Sequence, residues 1–355
     1  MSRRQEEMSG TTAVRDAHKF DVAALEAYMA EHVEGFRGPV KVEQFKGGQS
    51  NPTYKLVTPG QSYVLRRKPP GKLLKSAHAV DREYRVVSAL QGTGVPVART
   101  FVLCEDESVI GTAFYIMEFV SGRIFWEADL PGMTPPERAA LYDAMNDTIA
   151  RLHQVDYQAV GLGDYGKTGG YIARQVARWS KQYEASKTAE IPAMDNLIAW
   201  LPENIPPGEE TTIVHGDYRI DNLIFHASDP KVVAILDWEL STLGHPLADF
   251  AYATMLWRLP PDVFNGLKGL DLAALGIPTE EEYVAAYCAR TGRSEIPNWD
   301  FYMVYNIFRM AAIMQGIMGR VVAGTATSEH ARTYGRLARP LAEIAWDEVK
   351  RLRLG

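Results

Sequence analysis

VHGDYRIDNLIFHASDPKVVAILDWELSTLGHPLADF (214–250) carries three oxygen-bearing side chains in a fixed order: Asp217, Asn222 and Asp237. Moving the γ-phosphoryl group of ATP onto a hydroxyl needs a carboxylate to position that hydroxyl. It also needs oxygen ligands for Mg²⁺, whose charge offsets that of the phosphates. Asp217 suits the first role as the catalytic carboxylate, and Asn222 and Asp237 suit the second as metal ligands. The apolar run VVAIL (232–236) supplies a buried strand that ends just before Asp237. Any one of the three alone would read as a turn residue. The ordered set points to ATP- and Mg²⁺-dependent phosphoryl transfer.

This spacing is the skeleton of the protein-kinase catalytic and metal loops, but its surroundings differ. Here they read His215-Gly216-Asp217 and Asp237-Trp238-Glu239. Those variants resemble the aminoglycoside phosphotransferase and choline kinase superfamily. GGQSNPTY (47–54), YVLRRKPPG (63–71), DREYRVVSAL (81–90), RQVARWSKQY (174–183) and LDWELSTLGHPLAD (236–249) narrow the likeness. They resemble the kinase-like domain found ahead of an acyl-CoA dehydrogenase in fusion proteins, over residues 20–330. The resemblance implies an α+β, bilobal, protein-kinase-like fold with a small β-rich N-lobe and a larger helical C-lobe. It also implies ATP-dependent phosphorylation of a hydroxyl on an acyl-CoA of the 4-hydroxyacyl type. A flavin-binding dehydrogenase would need several hundred more residues and is expected to be absent. Another small alcohol as acceptor (aminoglycoside, choline or sugar type) stays open, as does a non-catalytic nucleotide-binding pseudokinase.

The resemblance assigns further residues. Arg66 occupies the strand position where kinases place a lysine, Glu83 on the next helix is its partner, and Arg67 and Lys68 are the alternatives. An arginine fork can hold α- and β-phosphates. Gly47, Gly48, Gln49, Ser50 and Asn51 lie between two strands, where backbone amides can cover a triphosphate. Glu118 to Val120 forms the hinge whose backbone would bond adenine. His215 and Asp249 are expected to buttress the catalytic loop, and Glu239 reads equally as a group near the metal or a surface charge. Arg174, Arg178 and Lys181 recur at helical spacing and form one cationic face. Such a face suits the phosphates of CoA and equally a solvated helix surface.

The periodicities divide the chain at about Ser121-Gly122. Residues 1–16 are expected to be a disordered tail, 17–120 the nucleotide-binding N-lobe, and 121–355 the C-lobe with the catalytic loop and substrate site. Three strands, a helix and two strands precede the boundary. Helices dominate after it, beginning at the capping box Thr134-Pro135-Pro136-Glu137. Hydrophobic residues make up 46% of the 355, and 23% are charged, enough for a two-lobed core. The net charge of −6 argues against a nucleic-acid partner. The opening MSRRQEEMSG has no apolar core of a secretory signal. Phe301–Met318 is interrupted by Asn306, Arg309 and Gln315, so it reads as a buried helix and not a membrane span. Cys104 and Cys288 stand far apart, as befits reduced thiols in a cytoplasmic protein.

Overall fold

A computed structural model describes residues 8–46, 51–69, 79–326 and 330–352. The N-terminal part is an antiparallel sheet of β1 (Thr11–Thr12), β2 (Lys41–Phe45), β3 (Thr53–Val57), β4 (Ser62–Arg67), β5 (Thr100–Cys104) and β6 (Phe114–Glu118). Its strand order is β1-β2-β3-β4-β6-β5. Helix α1 (Val22–His32) covers one face, burying Leu25 and Met29 against Tyr54, Leu56, Tyr63, Leu65, Phe114 and Ile116. Helix α2 (Val80–Leu90) covers the other, where Val80 meets Ala113 and Tyr115.

Successive strand residues face opposite sides of a sheet, and in β4 this alternation separates two arginines. Arg66 turns toward α2 and Glu83. Arg67 turns the other way, donating to Tyr54 Oη, the Ile110 carbonyl and the His18 carbonyl at 3.2, 3.2 and 2.9 Å. Of the alternatives to Arg66, Arg67 is thereby committed to the opposite face.

One expectation is corrected. Within the disordered tail expected over residues 1–16, Thr11 and Thr12 pair with Phe45 and Gln44 at the sheet edge; residues 1–7 lie outside the described residues. After residue 330 the chain forms two helices, α10 (Ala331–Gly335) and α11 (Ala338–Leu352). Cys104 and Cys288 are free and buried.

The chain leaves the sheet after Glu118 and enters a helical region. Helices α3 (Pro135–His153), α4 (Tyr171–Ser186), α5 (Pro192–Glu203), α6 (Pro246–Thr254), α7 (Leu272–Leu275), α8 (Glu280–Thr291) and α9 (Trp299–Val322) follow. α9 packs against α4, α6 and α11 and is buried nearly all round from Phe301 to Gly316, as its sparsely interrupted apolar run requires. Among the described residues, no helix is long and apolar enough to cross a membrane.

Between α5 and α6 lie two short antiparallel pairs: β7 (Thr212–Val214) with β10 (Thr242–Gly244), and the hairpin β8 (Leu223–Phe225) with β9 (Val232–Ile235). They hold the catalytic segment over α6, which an aromatic cluster fixes from below. Phe250 is fully buried, with its ring stacked on Tyr287 at 3.9 Å. Phe250→Ala should therefore cost about 3–5 kcal/mol, read as a lower urea midpoint at unchanged slope.

Candidate active site

The strand β7 delivers His215-Gly216-Asp217 to a tight turn. Gly216 sits at φ +83°, and a Cβ there would lie 2.7 Å from the Leu240 carbonyl oxygen, so glycine is required. The turn is held from inside the protein. Asp249 near the start of α6 is buried, and its Oδ2 and Oδ1 accept the His215 and Gly216 amides at 2.7 and 2.8 Å. His153 Nε2 donates to Asp249 Oδ2 at 3.2 Å, and Tyr287 Oη lies 2.8 Å from His153 Nδ1. Burial alone would push the Asp249 carboxyl up. The hydrogen bond and charge of His153, together with His215, outweigh it and hold the group below its ordinary range.

His215 is fully buried, and both its ring nitrogens are spent on backbone. Nδ1 accepts the Asp217 amide at 3.2 Å and Nε2 donates to the Leu236 carbonyl at 2.8 Å. That leaves the ring no nitrogen for a substrate.

Asp217 is the carboxylate this framework presents. Its Oδ1 accepts Tyr252 Oη at 2.5 Å and lies 3.2 Å from Arg219 Nε, and its Oδ2 accepts Asn222 Nδ2 at 3.1 Å. Asn222 Nδ2 also donates to the Asp217 carbonyl at 2.9 Å, directing the amide nitrogen toward Asp217. Asn222 is tied to the next segment as well, since its carbonyl accepts the Leu236 amide at 2.8 Å. Asp237 follows at φ +63°, ψ +60°, a left-handed conformation costly for a residue with a Cβ. The strain turns the chain at the end of β9 and presents the Asp237 carboxylate at the junction of the lobes.

Arg66 meets it there. Its Nε lies 2.6 Å from Glu83 Oε2, its Nη2 lies 2.6 Å from Asp237 Oδ1, and Glu239 Oε2 stands at 3.9 Å. Burial works against the guanidinium charge, but the carboxylates of Glu83 and Asp237 more than restore it and raise the group's pKa. Asn51 is fully buried and donates to Glu83 Oε1 at 2.7 Å, with Tyr115 Oη 3.3 Å from Oε2. The side chain of Asn51 therefore serves Glu83. Gly47, Gly48, Gln49 and Ser50 lie outside the described residues.

At the hinge, the Glu118 amide closes the sheet on the Arg99 carbonyl at 2.7 Å, so it is not available to adenine. Val120 is half-buried just beyond it. Arg174, Arg178 and Lys181 all fall on the exposed side of α4. Arg174 is already engaged, donating to the Gly169 and Lys167 carbonyls, and Arg178 lies over the Trp179 ring at 5.1 Å.

The residues around Asp217 fit Mg²⁺ with a nucleotide. Mg²⁺ takes few protein oxygens and fills its octahedron with phosphates and water. The Asn222 amide turns its nitrogen to Asp217, which frees its oxygen for such a ligand, and Asp237 supplies one carboxylate. Consistent with so sparse a donor set, no group of three or more His, Cys, Asp or Glu among the described residues could hold a metal alone.

Sequence reading missed Tyr252, Arg219, His153 and Arg309. Tyr252 lies one helical turn after Asp249, a signal available in hindsight. Arg309 was visible as a charge inside an apolar helix. A lone histidine closing α3 gave no signal.

Comparison with known proteins agrees with this geometry. The model of the family described as phosphotransferase enzyme family matches residues 41–305. The chain belongs to that family. It is 48% identical over 340 residues to acyl-CoA dehydrogenase family member 10 of Mus musculus, covering 95% of this chain and 32% of that protein. It is 46% identical to acyl-CoA dehydrogenase family member 11 of Gallus gallus, covering 97% and 45%. The chain thus spans less than half the length of these relatives. A Ralstonia eutropha protein solved as a candidate aminoglycoside phosphotransferase is 59% identical, with TM-score 0.88, over 94% of this chain and 99% of that one. Choline kinase from Cryptosporidium parvum shares the fold at TM-score 0.67 and 11% identity, over 94% and 96% of the two chains. So does aminoglycoside phosphotransferase APH(4)-Ia, solved with AMP-PNP and hygromycin B, at 0.59 and 16% over 92% and 98%.

Two outcomes follow. A carboxyl depressed in the folded state adds stability above its unfolded pKa, near 4, and loses it as pH falls through the folded value. Asp249→Ala should therefore cost about 3–5 kcal/mol at pH 7, and its gap from the parent in urea unfolding should narrow below pH ~4. Tyr252→Phe removes a charge-assisted hydrogen bond to Asp217 and should lower kcat on the order of tenfold, with the KM for nucleotide unchanged.

Proposed function

We propose that this chain transfers the γ-phosphoryl group of Mg-ATP to a hydroxyl of a hydroxyacyl-CoA, of the 4-hydroxyacyl type. The observation that carries the reading is the Asp217 carboxylate, held by Tyr252, Arg219 and Asn222 beside the Arg66–Asp237 pair. In the reaction the acceptor oxygen forms a bond to the γ-phosphorus, and the bond from that phosphorus to the β–γ bridging oxygen breaks. The hydroxyl proton passes to Asp217, and ADP leaves. Catalysis then comes from positioning and charge compensation, without a covalent enzyme intermediate.

Asp237 and the amide oxygen of Asn222 would hold Mg²⁺, which supplies charge neutralisation at the phosphates. Arg66 orients Asp237 and lends its fork to the α- and β-phosphates, while Glu83 and Asn51 set its direction. The backbone around Val120 would receive adenine; residues 47–50, expected to cover the triphosphate, lie outside the described residues. Exposed Arg178 and Lys181 on α4, with Arg174, favour a phosphate-rich carrier such as CoA over a cationic aminoglycoside or choline. The relatives that bear acyl-CoA dehydrogenase names support the same acceptor.

Asp217→Ala should reduce ADP release by about 10²–10⁴-fold while leaving Mg-ATP binding measurable by calorimetry. The acceptor is decided by an ADP-release screen of 4-hydroxyacyl-CoAs against aminoglycosides, choline and sugars. Turnover confined to the last three would reject the acyl-CoA assignment, and no ADP from any alcohol would favour a pseudokinase.

A further inference from the structure

Arg309 is a buried cation with too few partners. It projects from α9, is 7% exposed, and donates from Nη2 to the Gly216 carbonyl at 2.7 Å. A guanidinium carries five N–H donors. Nε of Arg309 is buried and bonds to nothing. Its remaining neighbours are aromatic: the guanidinium carbon lies 4.8 Å from the Tyr252 ring centroid and 5.6 Å from that of Trp179.

Other buried or half-buried arginines are provided for. Arg66 has Glu83 and Asp237, Arg219 has Asp217 and Asp221, and Arg258 has Glu280 and Asp300. Arg67, which has no carboxylate, spends three donors on protein oxygens. Among the described residues no carboxylate lies within ion-pair distance of Arg309.

Burying a cation without an anion is costly, so a fold that keeps one beside its reactive carboxylate has a use for it. Arg309 stands one tyrosine ring from Asp217, because Tyr252 offers it a ring face while its hydroxyl bonds Asp217 Oδ1 at 2.5 Å. An acceptor whose hydroxyl meets Asp217 would bring its next few atoms to this guanidinium.

Resting on the kinase reading above, we infer that Arg309 is a specificity-determining residue that binds a carbonyl or carboxylate oxygen of the acceptor. The acceptor is then a hydroxy acid, free or as a thioester, whose hydroxyl and carbonyl are separated by a short aliphatic chain. The same cation disfavours the positively charged acceptors that related folds accommodate.

The test uses acceptor analogues without the hydroxyl, so that it reads binding and not transfer. The full chain with Mg-AMP-PNP is titrated calorimetrically with pentanoyl-CoA, pentanoate and neutral 1-pentanol. Arg309→Met should weaken the thioester or the acid at least tenfold, leave AMP-PNP affinity unchanged, and make no difference to the alcohol. Arg309→Lys, which keeps the charge but loses the fork, should fall between, and it carries the test if the methionine variant does not fold. Whichever of thioester and acid shows the loss identifies the source of the oxygen. Equal affinities in parent and variant, a parallel loss of AMP-PNP binding, or no binding of either carbonyl compound to the parent would overturn the inference. Arg309-dependent binding without ADP release from 4-hydroxypentanoyl-CoA or 4-hydroxypentanoate would instead defeat the acceptor reading alone.

Discussion

Arg66 joins the two halves of the site. One guanidinium reaches Glu83 in the N-lobe through Nε and Asp237 in the C-lobe through Nη2, both at 2.6 Å. A buried charge is tolerated only where its partners are close and themselves held, and here they are. Asn51 and Tyr115 fix Glu83, and the strained turn after β9 fixes Asp237. A lysine ammonium is a compact point charge. The planar fork can aim separate donors at two carboxylates, as Arg66 does with Glu83 and Asp237. The same contact sets the position of α2, because α2 lies over the Trp238–Leu240 turn that follows Asp237.

The C-lobe half depends on a different device. Asp249 is buried away from bulk solvent, and the amides of His215 and Gly216 and the ring of His153 meet its charge. These bonds convert a helix buried in the core into a rigid mount for a loop that must leave the core. His215 extends the mount by spanning the Asp217 amide and the Leu236 carbonyl, which ties the turn at Asp217 to the turn at Asp237. Preorganisation of this kind holds the Asp217 carboxylate in one position without rearrangement.

Much of this was legible in the sequence, for identifiable reasons. Strands β2 to β6 and the helix from Pro135 announce themselves by alternation, β-branched residues and a capping box. Asp217, Asn222 and Asp237 sit close enough along the chain to be recognised together. What the sequence hid was long-range pairing. That Asn51 turns to Glu83, or that His153 reaches Asp249, depends on tertiary packing that no local pattern encodes. The short strand β10 was missed because it has only three residues, and its identity comes from pairing with β7. β1 escaped notice for a similar reason, since two threonines in a polar opening carry no period.

Charge shows most clearly where composition stops being informative. The chain carries −6 overall, which bears on steering and solubility across its whole surface. Within a Debye length of about 8 Å, however, only local groups matter. Around Asp217 those groups are Arg219 at 3.2 Å and, beyond the Tyr252 ring, Arg309. Around Arg66 stand Asp237, Glu83 and Glu239. The acidic groups thus gather about one arginine, whereas the charge nearest Asp217 is a cation. That opposition follows from side-chain placement and not from the overall charge balance, so net charge alone says little about the field inside the site.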